Sequence, residues 1–395
     1  MILLKIIIHD YAGHPFQLEL SHYLSNNYEV YHFYFQNDHG PKADFERNNI
    51  QNLKVEGLGE KINYSKSNFL SRFFNDIKYG KIVETRINEI KPDIIISGNC
   101  PTLAQQIIKN AAKNNNSKFV MWVQDFYSIA VKTLLKKKFY IFAYPIYALF
   151  EYLEKKQLRT ASKIIIISNA FRNKLKEWSI EQSKIHFIPN WGNLKSINFY
   201  KTKKLEFLKE NNLDTEKFYL LYSGTLAMKH NPDIIIEIAK GAEHINVIVA
   251  GIGSGFDNLK RRPKLPKNLY LLPIQPFKKI NEMLSSADVC LGILNDEAST
   301  FSVPSKILNY LCAGKAIILS APKENLASKT IIESESGKVF QSNEIESMIK
   351  YINFLKENSQ EREKIYLNAR KFAENNFDIE KIGKNFKELI NTIKL

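Results

Sequence analysis

The sequence predicts an α/β fold built as two doubly wound, Rossmann-like domains, and three observations carry that expectation. Apolar strand-like runs alternate with helix-like segments through the first half of the chain, and the alternation restarts at FYLLYSG in the second half. The 395 residues exceed what a single core organises, so two domains are the default. The pattern breaks near Asn190 to Lys204, where a linker is expected. A hydrophobic share of 44% with 12% aromatics marks a folded chain and excludes a disordered one.

Taken in order, LLKIIIH reads as a buried first strand. Lys5 interrupts MILLKIII and His9-Asp10 follow at once, which argues against a signal segment. Helical spacing is expected from Gln17 to Ser25, then a strand in YEVYHFYF, a helix from Ile82 to Ile90 and a strand in PDIIISG. A helix from Thr102 to Asn114, the strand KFVMWVQD, the strand KIIIISN, the helix AFRNKLKEW and KIHFIPN complete the half. The second half offers the strands FYLLYSG, INVIVAG, LYLLPI, DVCLGIL and AIILS, each followed by a helix or a turn. Phe377 to Leu395 reads as a final amphipathic helix.

Open α/β sheets bind ligands outside the carboxyl ends of their strands, so the residues after each strand are the candidates. Gly13 and His14 follow the first strand, as a close-approach glycine with a ligand-facing histidine or as a plain turn. Asp125 ends KFVMWVQD, where it either caps the next helix or faces a ligand. Ser223, Gly224 and Thr225 form a tight turn, with Lys229 and His230 in the loop before Asn231-Pro232. Gly251, Gly253 and Gly255 form a glycine loop that by itself is weak evidence for phosphate binding.

The most informative stretch is SVPSKILNYLCAGKAII, from Ser302 to Ile318. Pro304 presets φ for a helix start, Ser302 and Ser305 are candidate caps, and Ile307, Leu308, Leu311 and Cys312 give an apolar face. Lys306 then stands in the first turn, where the macrodipole is already positive and free backbone N–H groups project. A cation there makes sense if an anion binds beside it. Gly314 ends the helix and AIILS follows as a buried strand.

This PSK…AG stretch resembles the nucleotide-sugar site of retaining glycosyltransferases of GT-B architecture, specifically family 4 and its surface-polysaccharide subgroup similar to colanic acid and O-antigen enzymes. The resemblance implies two Rossmann-like domains facing a deep cleft: residues 1–195 on the acceptor side, 196–376 binding the nucleotide-sugar, and 377–395 as a helix packing back on the first domain. It implies a loop at Gly13 and His14 near donor diphosphate and acceptor, and a polar residue at Asp125 near the transferred sugar. Two family glutamates eight positions apart would fall at Phe301 and Asn309, and both carboxylates are missing here. The ribose contact usual for the second would pass to the Asn309 amide. Thr225 stands near a family arginine, leaving Lys229 as the diphosphate cation of that loop. IIESES places Glu333 or Glu335 toward the donor nucleotide. Lys229, Lys306, Asp125 and His14 are thus the catalytic candidates, with Gly13, Ser223, Gly224, Thr225, Gly251, Gly253, Ser302, Ser305, Asn309 and Glu333 as donor contacts. The implied chemistry is transfer with retention, in which amides and lysines rather than a metal stabilise the diphosphate leaving group.

No cofactor is expected beyond the nucleotide-sugar substrate, and the Asn295–Glu297 triplet is not a paired-aspartate metal motif. Cys100, Cys290 and Cys312 form no CxxC pair, which suits a reduced cytoplasm. Against 41 acidic residues stand 56 Lys and Arg, a net +15. The clearest basic cluster flanks aromatics over residues 134–159, with an apolar-aromatic run from Phe139 to Phe150 too short to span a bilayer. It fits either a buried helix pair or a segment at the inner face of the cytoplasmic membrane, docking beside a lipid-diphosphate-linked saccharide acceptor. Two other classes stay open: a sugar-nucleotide epimerase on the same architecture, which needs a clear carboxylate acid/base set, and a nucleic-acid binder, which needs a basic groove.

Overall fold

The structure is a computed structural model that describes residues 3–37, 50–62, 69–129, 131–132, 143–294 and 304–393. The chain divides into two compact units, Met1–Asn190 with Ile379–Leu395, and Trp191–Asp378.

The first unit holds seven strands: β1 Lys5–Asp10, β2 Glu29–Phe35, β3 Leu53–Leu58, β4 Ile94–Gly98, β5 Lys118–Val123, β6 Lys163–Ile166 and β7 Ile185–Phe187. They lie in the order β3-β2-β1-β4-β5-β6-β7 and pair in parallel throughout. The isoleucine runs at 6–8, 94–96 and 164–166 are wholly buried, as strands covered on both faces require. Two elements differ from the sequence expectation. The helix expected from Ile82 to Ile90 runs from Phe69 to Ile90. Strand β3 was not expected, because its residues LKVEGL are mostly exposed or half-exposed at the sheet edge and carry little apolar signal. The helix Ile379–Asn391 packs within this unit: Phe386 lies 5.0 Å from Trp122 between ring centroids, and Gly383 abuts the Tyr23 ring so closely that a Cβ would clash.

The second unit holds β8 Tyr219–Thr225, β9 Asn246–Ile252, β10 Leu269–Pro273, β11 Val289–Ile293, β12 Ala316–Ser320 and β13 Gly337–Phe340, in the parallel order β10-β9-β8-β11-β12-β13. In each sheet the winding reverses direction at one place. In the first unit this is between β1 and β4, and in the second between β8 and β11. At such switch points the loops leave in opposite directions and open a crevice at the carboxyl ends.

Candidate functional site

The second unit gathers its candidates in that crevice. Strands β8 and β11 pair only at Val289–Leu220 and Cys290–Leu221, so they have separated before β8 reaches Ser223. The helix Ser305–Cys312 places Tyr310 into the gap. The Ser223 N–H donates to the Tyr310 hydroxyl at 3.1 Å, and that hydroxyl lies 3.5 Å from the Leu291 carbonyl oxygen on β11. A side chain thus replaces the missing ladder bonds.

One turn earlier on the same helix stands Lys306. The residue as a whole is half-buried, but its Nζ is shut off from solvent and has no hydrogen-bond partner among the described residues. Nζ lies 3.7 Å from the centroid of the Tyr222 ring, and a Cβ built on Gly224 would sit 3.8 Å from it. Burial pushes the Lys306 pKa down to about 7. The ordinary behaviour of a lysine is the reverse, with a buried stem and a solvated head. A buried, unpaired ammonium is costly and marks a position where an anion would be favourable.

The loops around it are built for close backbone approach. Gly224 has φ +96, and a Cβ on Gly251 would meet the Gly224 carbonyl oxygen at 2.7 Å. Gly253, with φ +115, opens the short helix Ser254–Lys260. Thr225 is exposed just beyond Gly224. Ser223, Gly224, Thr225, Gly251, Gly253 and Lys306 therefore share the carboxyl-end crevice of one sheet.

Other candidates are placed differently. Ser305 is the first helical residue, Pro304 occupies the cap position, and no side chain caps this helix, so Ser305 is not the cap expected of it. Ser302, Phe301 and the Asn295–Glu297 triplet lie outside the described residues. Lys229 belongs to the single 3-10 turn Met228–His230, and its side chain lies outside the described set. His230 accepts the Ala227 N–H on Nδ1 at 3.2 Å and so helps to hold the loop. Asn309 lies one turn from Lys306, but its Oδ1 is approached by the Asn193 N–H and Nδ2, each at 3.4 Å. Glu333 and Glu335 are exposed and precede β13, at the amino end of a parallel strand, whereas the crevice lies at carboxyl ends. The structure does not bring them to it.

The first unit has a parallel cluster at its own switch point. Asp10 ends β1, and its carboxylate accepts from the Ala12 N–H at 3.2 Å, the His14 N–H, and the Asn99 amide at 3.0 Å, while the His14 ring Nδ1 lies 3.2 Å away. A carboxylate only accepts, so Nδ1 carries a proton toward Asp10. Burial works against ionisation of Asp10, yet the His14 charge and the hydrogen bonds from His14 and Asn99 outweigh it and hold the pKa below the usual carboxylate range. Gly13, with φ +70, makes the turn that brings His14 back. Asp125 is exposed after β5 and accepts from the Phe126 N–H at 2.8 Å. It borders a cavity of about 240 Å³ that also touches Asn99, Thr102, Gln157 and Glu154. Glu154 is buried, and its carboxylate accepts the Tyr127 and Ser128 N–H groups at 2.9 and 3.1 Å.

Sequence reading missed Tyr222, Tyr310, Asp10 and Asn99. Buried aromatic and strand-end polar residues look like core until the strand order is known. Among the described residues no group of three or more His, Cys, Asp or Glu is arranged to hold a metal ion, and no helix is long and apolar enough to cross a membrane.

Comparison with known proteins bears on this geometry. Residues 203–372, which contain the whole crevice of the second unit, match the family "Glycosyl transferases group 1". A protein of Escherichia coli (strain K12) named for colanic acid biosynthesis, the glycosyl transferase WcaI, is 24% identical over 174 residues, 42% of either chain. The chain thus spans less than half the length of that curated relative. Among solved structures, sucrose-phosphate synthase from Thermosynechococcus elongatus superposes with a TM-score of 0.74 at 13% identity, covering 98% of both chains. Anabaena Alr3699/HepE in complex with UDP-glucose superposes with a TM-score of 0.71 at 15% identity, covering 98% of this chain and 100% of that one. These likenesses establish the fold as two Rossmann-like units of the GT-B kind, and the stretch of the second unit that carries the crevice is similar to the glycosyl transferases group 1 family over residues 203–372.

Proposed function

We propose that the chain transfers a sugar from a nucleotide-sugar to a saccharide acceptor in surface-polysaccharide assembly, with retention and without a metal. The observation that carries the reading is the unpaired Lys306 ammonium beneath Gly224, at the switch point of the domain that matches the family. Departure of a nucleoside diphosphate puts negative charge on phosphate oxygens, and an ammonium with backbone N–H groups already in place stabilises that charge without reorganisation. The Gly224 turn and the glycine loop allow phosphate to approach backbone closely. Asn309 would offer its remaining amide N–H₂ toward the ribose, and Lys229 would supply a second cation. In the first unit, the Gly13–His14 turn would lie toward the acceptor.

The polysaccharide setting draws on the relative named for colanic acid biosynthesis and the nucleotide-sugar on the neighbour solved with UDP-glucose. A lipid-diphosphate-linked acceptor at the inner membrane face fits the helix Ala143–Thr160, which exposes Tyr144, Leu149 and Tyr152 by 73%, 48% and 60%. Such aromatics suit a headgroup interface. The test is thermal stabilisation of the chain by a panel of UDP-, GDP- and dTDP-sugars, followed by mass detection of a glycosylated lipid-linked saccharide. Absence of a shift with every nucleotide-sugar would end the reading.

A further inference from the structure

Among the described residues, the Lys306 ammonium sits in an aromatic rather than an acidic setting. Its nearest charged-group substitute is the face of Tyr222, 3.7 Å away and well inside the range of a cation–π contact. Tyr222 is itself fully buried, and its hydroxyl donates to the Thr225 carbonyl at 2.8 Å. The ring is therefore tied to the same turn whose Gly224 lies against the lysine. Among the described residues, the titratable groups around this pocket are the Tyr222 and Tyr310 phenols, both pushed up by burial, and Cys290 beyond Tyr310, pushed up to about 12 by burial. All three are neutral from pH 6 to 9. Among the described residues no charged group offsets the burial of Lys306, which favours the uncharged amine.

The geometry points to Tyr222 as a positioning residue that holds the Lys306 side chain charged and aimed at the Gly224 turn in readiness for the nucleotide's diphosphate. A carboxylate would hold the lysine as well, but it would repel the incoming phosphates and compete with them for the ammonium. An aromatic face offsets part of the desolvation while carrying no net charge, so it yields the cation to an anion without leaving a buried carboxylate behind. The enclosed lysine head follows from this arrangement. The inference rests on the reading of Lys306 as a diphosphate contact.

The experiment measures binding of UDP and of inorganic pyrophosphate to the full chain by calorimetry from pH 6 to 9, for wild type, Tyr222→Phe, Tyr222→Leu, Lys306→Ala and the Leu/Ala double variant. Losing a cation–π contact of this type lowers the lysine pKa by about one unit. Tyr222→Leu should accordingly move the alkaline loss of binding about one pH unit lower, with about tenfold weaker binding at pH 8 and little change at pH 6. Tyr222→Phe should restore the wild-type midpoint, and Tyr222→Leu should add nothing in the Lys306→Ala background. A uniform loss across pH, or an added loss without Lys306, would make Tyr222 a packing residue and overturn the inference. Wild-type binding by Lys306→Ala would instead overturn the diphosphate reading beneath it. Should Tyr222→Leu fail to fold, fluorinated phenylalanines at position 222 weaken the ring face at nearly constant volume. Their midpoints must then fall with each added fluorine, and an unchanged midpoint would refute the proposal.

Discussion

The Tyr310 hydroxyl accepts the Ser223 N–H at 3.1 Å, in the place where β8 and β11 have ceased to pair. With the Ser223 hydroxyl also 3.1 Å from the Tyr310 hydroxyl, this link fixes the floor of the crevice, since Ser223 precedes the Gly224 turn and Tyr310 lies one helical turn from Lys306. Tyr310→Phe would leave the buried Ser223 N–H without its acceptor, at a cost of about 1–3 kcal/mol. Urea denaturation should report that loss with the fold retained, and nucleotide binding should weaken in the same variant. Unchanged stability would show that the amide finds another acceptor.

Removal of a charge-stabilising group aimed at a transition state costs on the order of 10² in rate. Lys306→Ala and Lys229→Ala are each expected to lower turnover by that order once a donor is found, with a smaller effect on donor KM. Near-wild-type turnover in both would remove the two lysines from leaving-group stabilisation. Asn309→Glu should keep or tighten donor binding, because a carboxylate can still accept from Asn193 and would face the ribose hydroxyls. Abolished binding in a folded variant would show that the amide N–H₂ is what the donor needs.

What the sequence made legible follows from where the physical signal lies. Buried parallel strands such as Ile6–Ile8 and Ile94–Ile96 announce themselves as continuous apolar runs, and the helix at Ser305 by its proline and apolar spacing. Strand β3 was hidden because an edge strand with one face in water has no such run. Lys306 was legible as a cation in the first turn of that helix, but its aromatic cradle was not. Tyr222 and Lys306 are 84 positions apart, and only the meeting of β8 with the following helix joins them. Glu333 misled because its distance from the glycine turns is set by strand polarity rather than by spacing.

Asp10 collects more donors than an amide could satisfy: the Ala12 and His14 N–H groups, the Asn99 amide and the His14 ring. Asp10→Asn should therefore destabilise the first unit by about 1–3 kcal/mol and free the His14 ring. The folded pKa of Asp10 is depressed, so its contribution is complete above about pH 4 and is lost as pH falls through the lower folded value. The wild type should lose this advantage over Asp10→Asn below that pH. A stability difference independent of pH down to strong acid would remove the carboxylate's charge from the account.

Glu154 shows the opposite sign. Burial raises its pKa to about 7 against the hydrogen bonds from Ser128 and Tyr127, with Asp125 adding to the rise. A raised folded value stabilises below the ordinary carboxyl pKa and loses that stabilisation as pH climbs through 7. Between pH 6.5 and 8 the loss is about 1 kcal/mol. His9 and His32, pushed down to about 4 by burial, act in the opposite sense: their unfolded forms titrate near 6.5, so stability rises as pH climbs from about 4 through 6.5 and the effect reaches into the lower part of this window. Because other groups titrate as well, the readout is the difference in urea midpoint between wild type and Glu154→Gln across this window. A constant difference would mean that Glu154 stays ionised in the folded chain.

The helix Ala143–Thr160 turns Leu149 and Tyr152 to solvent three residues apart, with Tyr144 at its start and Lys156 and Arg159 toward its end. Residues 133–142, with Lys136, Lys137 and Lys138, lie outside the described set. Exposed aromatics inserted at a headgroup interface gain burial, and each lysine near an anionic leaflet adds about 1 kcal/mol. Binding to vesicles should therefore weaken with salt but persist through the apolar part. Flotation with anionic and neutral liposomes separates the two contributions. Replacing Lys136, Lys137 and Lys138 by glutamate should abolish the preference for anionic vesicles, and replacing Tyr144, Leu149 and Tyr152 by serine should remove the salt-resistant fraction. If wild type and both variants partition alike, or none floats at any salt, the exposed face of this helix serves something other than a membrane.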